Sequence, residues 1–139
     1  MVRYIRMTAA VLLGATVMAG AKDLEPQPVM VGPQVQIGCN TGNDSSILFT
    51  FGHRYKRKMP IHAGPDDSYP VIDHLKPGMR YIVCDVDYGS REEWAPIVYT
   101  DDPDQDCDVQ TMRVGLRPYA GSCRSGWMPR SVLSTENAG

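Results

Sequence analysis

The chain has no excess of basic residues, no C-x₂-C pair and no apolar run long enough to span a bilayer, and each absence closes off a class of function. Lys and Arg number 14 against 16 Asp and Glu, a formal charge of −2. Tracking a phosphate backbone takes a concentrated basic surface, so no nucleic-acid partner is expected. Without C-x₂-C spacing the four cysteines do not read as a zinc site, and neither metal nor cofactor is expected. The main apolar stretch, Met7 to Met18, falls short of the roughly 20 residues that spanning takes. No stretch repeats apolar residues at i, i+3, i+4 and i+7, which argues against amphipathic helices. Internal repeats are lacking as well. Phe and Trp are scarce, two of each, so each indole is a large share of the aromatic volume available to a core.

What is present begins with an export signal. Arg3 and Arg6 form a basic n-region, Met7 to Met18 a short h-region, and Ala19-Gly20-Ala21 an A-x-A cleavage site. Residues 1–21 are therefore expected to be a signal peptide removed after Ala21. No cysteine follows the apolar run closely enough for a lipid anchor, so no membrane insertion is expected after signal removal. The remaining chain has 12 Lys and Arg against 16 Asp and Glu and is long enough for one domain with one modest core. Localisation is expected to be periplasmic or secreted.

Cys39, Cys84, Cys107 and Cys123 all lie in the exported part. An even count outside the cytosol implies two disulfides, although four cysteines allow three connectivities and the sequence alone does not choose among them. The favoured pairing is Cys107 with Cys123 and Cys39 with Cys84; the first closes a loop of about 15 residues, worth roughly 3 kcal/mol.

Residues 22–44, with Pro26, Pro28 and Pro33, read as an extended leader outside the core. Beyond it, turn formers separate short apolar runs at Ile47–Phe51, Tyr69–Leu75, Met79–Val86, Trp94–Tyr99 and Trp127–Leu133. In the third run Ile82, Cys84 and Val86 alternate with Tyr81, Val83 and Asp85, the period of a half-buried strand. Many short strands with Gly and Pro punctuation point to an all-β fold, a small barrel or sandwich. The domain is placed at residues 45–134, with a C-terminal tail at 135–139. Gly64 and Gly78 fall where turns call for positive φ, and at least one of Trp94 and Trp127 is expected in the core.

The stretch Met59-Pro-Ile-His-Ala-Gly-Pro65, then Tyr69-Pro-Val-Ile72 and Leu75-Lys-Pro-Gly78, resembles the opening of the bacterial SH3-like (SH3b) domains. The strand Tyr81–Val86, Trp94 opening another strand, and Gly126-Trp127-Met128 before Ser131-Val-Leu133 continue the likeness in the family's order, over roughly residues 55–133. The resemblance implies a small SH3-like barrel that binds rather than catalyses, with peptidoglycan or its stem peptides as ligand. It departs from the family at His62, where an Arg is common, and at Pro60, where a polar residue is common, so the ligand contact made by that Arg is not carried over. A long insertion before the last strand, residues 100–125, replaces a tight turn and is similar to that of a subset of small exported SH3-like proteins.

Aromatic side chains suited to a shallow groove are Tyr55, Tyr69, Trp94, Tyr99, Tyr119 and Trp127. By the resemblance, the groove lies beside the loop after the first strand, with Asp66, Asp67 and Tyr69 at its rim. The candidate ligand-binding set is Tyr55, Asp66, Asp67, Tyr69, Trp94 and Trp127. Against it stands the ordinary role of such rings as core. The acidic residues Asp102, Asp104, Asp106 and Asp108 alternate as in a calcium loop but fail the EF-hand pattern, since Cys107 falls where Gly is needed and Arg113 where the closing Glu is needed. His53, His62 and His74 lack a catalytic context, and exported cysteines are expected oxidised, so no enzyme is expected. Arg54-Tyr-Lys-Arg-Lys58 fits either an anionic partner or a charged edge strand. A second class of function stays open: an envelope protein-interaction factor, inhibitor or accessory subunit, using the cysteine-pinned insertion.

Overall fold

The computed structural model describes residues 24–32, 39, 49–52, 54–84, 93–109 and 115–137. The expected signal peptide, His53 and Val86 lie outside them. The described chain is almost entirely β. Eight strands run β1 (Met30–Val31), β2 (Phe49–Thr50), β3 (Met59–His62), β4 (Val71–Leu75), β5 (Arg80–Val83), β6 (Trp94–Thr100), β7 (Arg117–Pro118) and β8 (Arg124–Pro129), followed by α1 (Arg130–Asn137). They form one six-stranded sheet of order β2-β5-β6-β8-β3-β4 and a two-stranded ribbon, β1-β7.

Every pair is antiparallel, and β2 and β4 are free edges among the described residues, so the barrel expected from the sequence is not closed. Residues from both edges nevertheless meet in one cluster: Phe51 beside β2, Leu75 on β4, and Tyr81, Ile97 and Met128 between them. The sheet therefore wraps around its core without pairing its edges. At Ile72 an extra residue breaks the β3–β4 register, since His62 pairs with Val71 and Ile61 with Asp73.

The half-buried reading of β5 needs correction. Tyr81 joins the first cluster, but Ile82 and Cys84 on the opposite face are also buried, in a second cluster with Val98. That face is covered by the leader and by the insertion. Val29 and Val31 are only 2% and 4% exposed, so the described part of the leader contributes to the core rather than lying outside it. β1 pairs with β7 of the insertion, the Tyr119 amide donates to the Val29 carbonyl, and the Trp127 Nε1–H donates to the Gln27 carbonyl. A proline-rich segment cannot supply a full ladder, yet two valines and a few carbonyls suffice to seal one sheet face.

The expected strand Trp127–Leu133 also divides. Pro129 ends β8, and the chain turns into α1 with the Arg130 amide bonded to the Glu93 carbonyl. Val132 and Leu133, adjacent on α1, are both buried against the main core, as neighbours on the inner side of a helix can be. α1 extends to Asn137 and so takes in part of the expected tail.

Both disulfides form as favoured, Cys39–Cys84 and Cys107–Cys123, with no free cysteine. Two such bridges fit a non-reducing, extracytoplasmic environment. Among the described residues no helix is long and apolar enough to cross a membrane. Gly78 has the positive φ its turn requires, at 91°. Gly64 has no positive φ; it is there because a Cβ would sit 2.5 Å from the Tyr69 ring.

Candidate functional site

The loop between β3 and β4 is built by local bonds. Asp66 Oδ1 accepts from the Ser68 amide at 2.8 Å, and the Tyr69 amide bonds to the Asp66 carbonyl. Hydrogen bonds from the Ser68 hydroxyl and then from its amide hold the Asp66 carboxyl below its usual range, with the nearby His62 adding a smaller effect in the same direction. The loop closes when Tyr69 lies over the bare Cα of Gly64 and the Ala63 amide reaches the Pro70 carbonyl.

His62 anchors this loop to the sheet. Its Nδ1 is 2.9 Å from the Tyr69 carbonyl, which can only accept, so Nδ1 carries the proton. Its ring meets the Trp94 indole edge to face at 5.0 Å. The pair is buried, with His62 at 7% and Trp94 at 9% exposure.

Outside Trp94 a cleft of about 500 Å³ opens between the loop and the start of α1, lined by Asp67, Glu93, Trp94, Pro129, Arg130 and Ser131. Asp67 and Glu93 are exposed carboxylates, while Arg130 supplies the opposite charge and holds the Trp94 carbonyl through Nη2 at 3.4 Å. The cleft thus brings together one indole, two acidic groups and one guanidinium, charges of both signs beside an aromatic ring.

Of the six residues singled out from sequence, Asp67 and Trp94 line this cleft, and Asp66 and Tyr69 belong to the loop that forms one wall. Tyr55 is elsewhere, stacked on Phe51 at 6.3 Å and packed on the main core. Trp127 does not line the cleft; its ring packs on the second cluster beneath the leader. Glu93, Arg130 and Ser131 went unnoticed in the sequence, because ordinary polar residues at loop and helix ends become a site only through the β6–β8 pairing that sets Trp94 opposite Pro129.

The remaining candidates resolve locally. The acidic segment turns its carboxylates onto its own backbone: Asp102 Oδ1 accepts from the Asp104 amide and Asp106 Oδ1 from the Asp108 amide, both at 2.9 Å. No group of metal-binding side chains converges among the described residues. The basic run at residues 54–58 is a loop between β2 and β3, not an edge strand, and Lys56 Nζ bonds to the Gly52 carbonyl. Among the described residues, none of the insertion lines the Trp94 cleft; the insertion packs farther along the sheet, over Ile82 and Val98. No protein-family model matches the chain, and neither a curated protein nor a solved structure does.

Proposed function

We propose that the protein is an exported, non-catalytic binding module, periplasmic or secreted, of the SH3b type, whose Trp94 cleft takes up peptidoglycan through its stem peptides. The observation that carries this reading is the flanking of one indole by Asp67 and Glu93 on one hand and Arg130 on the other. A short peptide bearing amine and carboxylate groups meets complementary charge at both, with Trp94 beneath its apolar part. The engagement of His62 Nδ1 by a backbone carbonyl supports a role in holding the loop rather than in proton transfer.

Sedimentation with purified sacculi, paired with titration of a soluble stem peptide followed by Trp fluorescence, tests it. The wild-type protein is expected to co-sediment. Asp67→Asn combined with Glu93→Gln is expected to weaken binding about tenfold, or ~1.4 kcal/mol, with added salt acting in the same direction. Both side chains are exposed, so the fold should be unaffected. A wild-type protein that stays in the supernatant and does not respond to the peptide sinks this reading.

Leu116, 47% exposed within the insertion, favours the second reading, an envelope protein partner docked there. Loss of a pulled-down partner on Leu116→Glu, with sacculus binding absent, would mark that outcome.

A further inference from the structure

A separate small cavity lies in the seam between leader and insertion, away from the Trp94 cleft in its lining residues. It has a volume of about 60 Å³ and is lined by Val31, Asp108, Arg117, Tyr119, Ala120 and Gly121. Arg117 comes from β7, directly opposite Val31 of β1. Its Nη1 is buried with no hydrogen-bond partner. A guanidinium keeps its charge at any physiological pH, and a buried donor left unpaired is costly, more so when charged. Among the described residues, none supplies the acceptor this donor calls for.

The surroundings define that acceptor. The Tyr119 hydroxyl is already engaged, donating to the Cys107 carbonyl at 2.6 Å and accepting from the Cys123 amide at 3.1 Å, so it cannot serve the guanidinium. Asp108 lines the same cavity but is exposed and forms no ion pair with Arg117 among the described residues. Its loop position, with φ at 53° and its amide held by Asp106, keeps it at the wall. The Asp108 carboxylate at the wall disfavours a dianion more than a singly charged group. Val31, Ala120 and Gly121 contribute small or apolar surface beside the charge.

We propose that the Arg117 cavity is a carboxylate-binding site, taking a small monocarboxylate or the C-terminal carboxylate of a peptide ending in a small residue. The planar guanidinium matches a carboxylate through paired N–H donors, and the cavity has room for little beyond the carboxylate and a methyl-sized group. The site shares no lining residue with the cleft and stands or falls independently of peptidoglycan binding.

The test is thermal unfolding and amide NMR of the oxidised, signal-free protein at pH 7 and constant ionic strength, with sodium acetate, N-acetylalanine and N-acetylalaninamide as probes and sodium chloride as reference. The two carboxylates are expected to raise Tm saturably, by on the order of 6 °C at tenfold over half-saturation, and to shift the Val31, Ala120 and Gly121 amides. The amide probe should do neither. Tighter binding of N-acetylalanine than acetate would assign the site to a peptide terminus, and equal binding to a free small acid. Arg117→Met should abolish the response without lowering Tm in chloride, since it removes a buried donor without a partner among the described residues. If acetate, amide and chloride act alike, or if the shifts fall elsewhere, the cavity holds water only and the proposal is wrong. If Arg117→Met instead lowers Tm in chloride while the carboxylate response persists, Arg117 is a packing residue and the proposal is equally wrong.

Discussion

Replacing Cys107 and Cys123 together by serine is expected to lower stability by about 3 kcal/mol, and replacing Cys39 and Cys84 by about 4 kcal/mol. The order follows from the chain each bridge closes, with sequence separations of 16 and 45. A longer closed loop removes more conformational freedom from the unfolded chain. The folded state adds a second reason at Cys107–Cys123. The Tyr119 hydroxyl spans the two cysteines, bonding the carbonyl of one and the amide of the other, and Cys107 is 2% exposed within the second cluster. Losing the bridge therefore loosens the layer that holds Val29, Val31 and Val109 against Ile82 and Val98. Urea unfolding with a shared slope measures the loss. Hydrogen exchange should show the Tyr119 amide, bonded to Val29, losing protection before the amides of β6 at the sheet centre. Since small domains have about 5–15 kcal/mol in total, either loss is a large fraction of the stability available. Equal stability of variant and wild type would show that the unfolded chain is already compact around these cysteines.

That second layer marks how far the sequence could be read. The strands came from alternation and turn residues, and β6 appears almost as expected because Trp94-Ala-Pro-Ile-Val-Tyr99 is apolar throughout. The continuous run was itself the sign of a strand buried on both faces. What covers the second face was not legible, because Val29 and Val31 stand among prolines with no local periodicity and gain a role only when the insertion folds over them. The same holds for the site. Trp94 and Asp67 could be picked out by residue type and by resemblance, while Glu93 and Arg130 are unremarkable until Pro129 is set beside Trp94. Trp127, a groove candidate by residue type, packs beneath the leader, because β8 presents it to the face opposite Met128.

The second large effect is expected at Asp73, which joins three strands through one carboxylate. Tyr99 of β6 donates its hydroxyl to Oδ2 at 3.0 Å, Arg124 of β8 donates Nη1 to the same oxygen at 2.7 Å, and the adjacent His74 amide donates to Oδ1 at 2.7 Å. Arg124 also reaches Asp101 at 3.3 Å and lies over the Tyr99 ring at 5.1 Å. Asp73→Ala should cost about 2 kcal/mol, because the Tyr99 hydroxyl, on a residue 1% exposed, is left with no acceptor. Arg124, about half exposed, can turn to water and accounts for little of this. Tyr99→Phe in the Asp73→Ala background removes the stranded hydroxyl, so the double variant should be no less stable than Asp73→Ala alone, with a coupling of ~1 kcal/mol or more. The pH dependence follows the same bonds. Partial burial pushes the Asp73 carboxyl up, but the His74 and Tyr99 hydrogen bonds and the charges of Arg124 and Lys76 outweigh it and hold it below its usual value of 3.8. The folded protein thus binds this proton less readily than the unfolded chain, so the stabilisation is complete above about pH 4 and is lost as pH falls through the folded pKa. Tyr99 shifts the other way, raised first by burial and then by the Asp73 carboxylate. Its contribution is present below about pH 10 and is lost as pH rises towards the folded pKa. Unfolding midpoints for the wild type and Asp73→Asn, measured from pH 2 to 5, should diverge above pH 4 and converge in acid. A constant gap across that range would mean that the carboxylate's charge contributes nothing and that Asp73 acts only as a neutral acceptor for Tyr99.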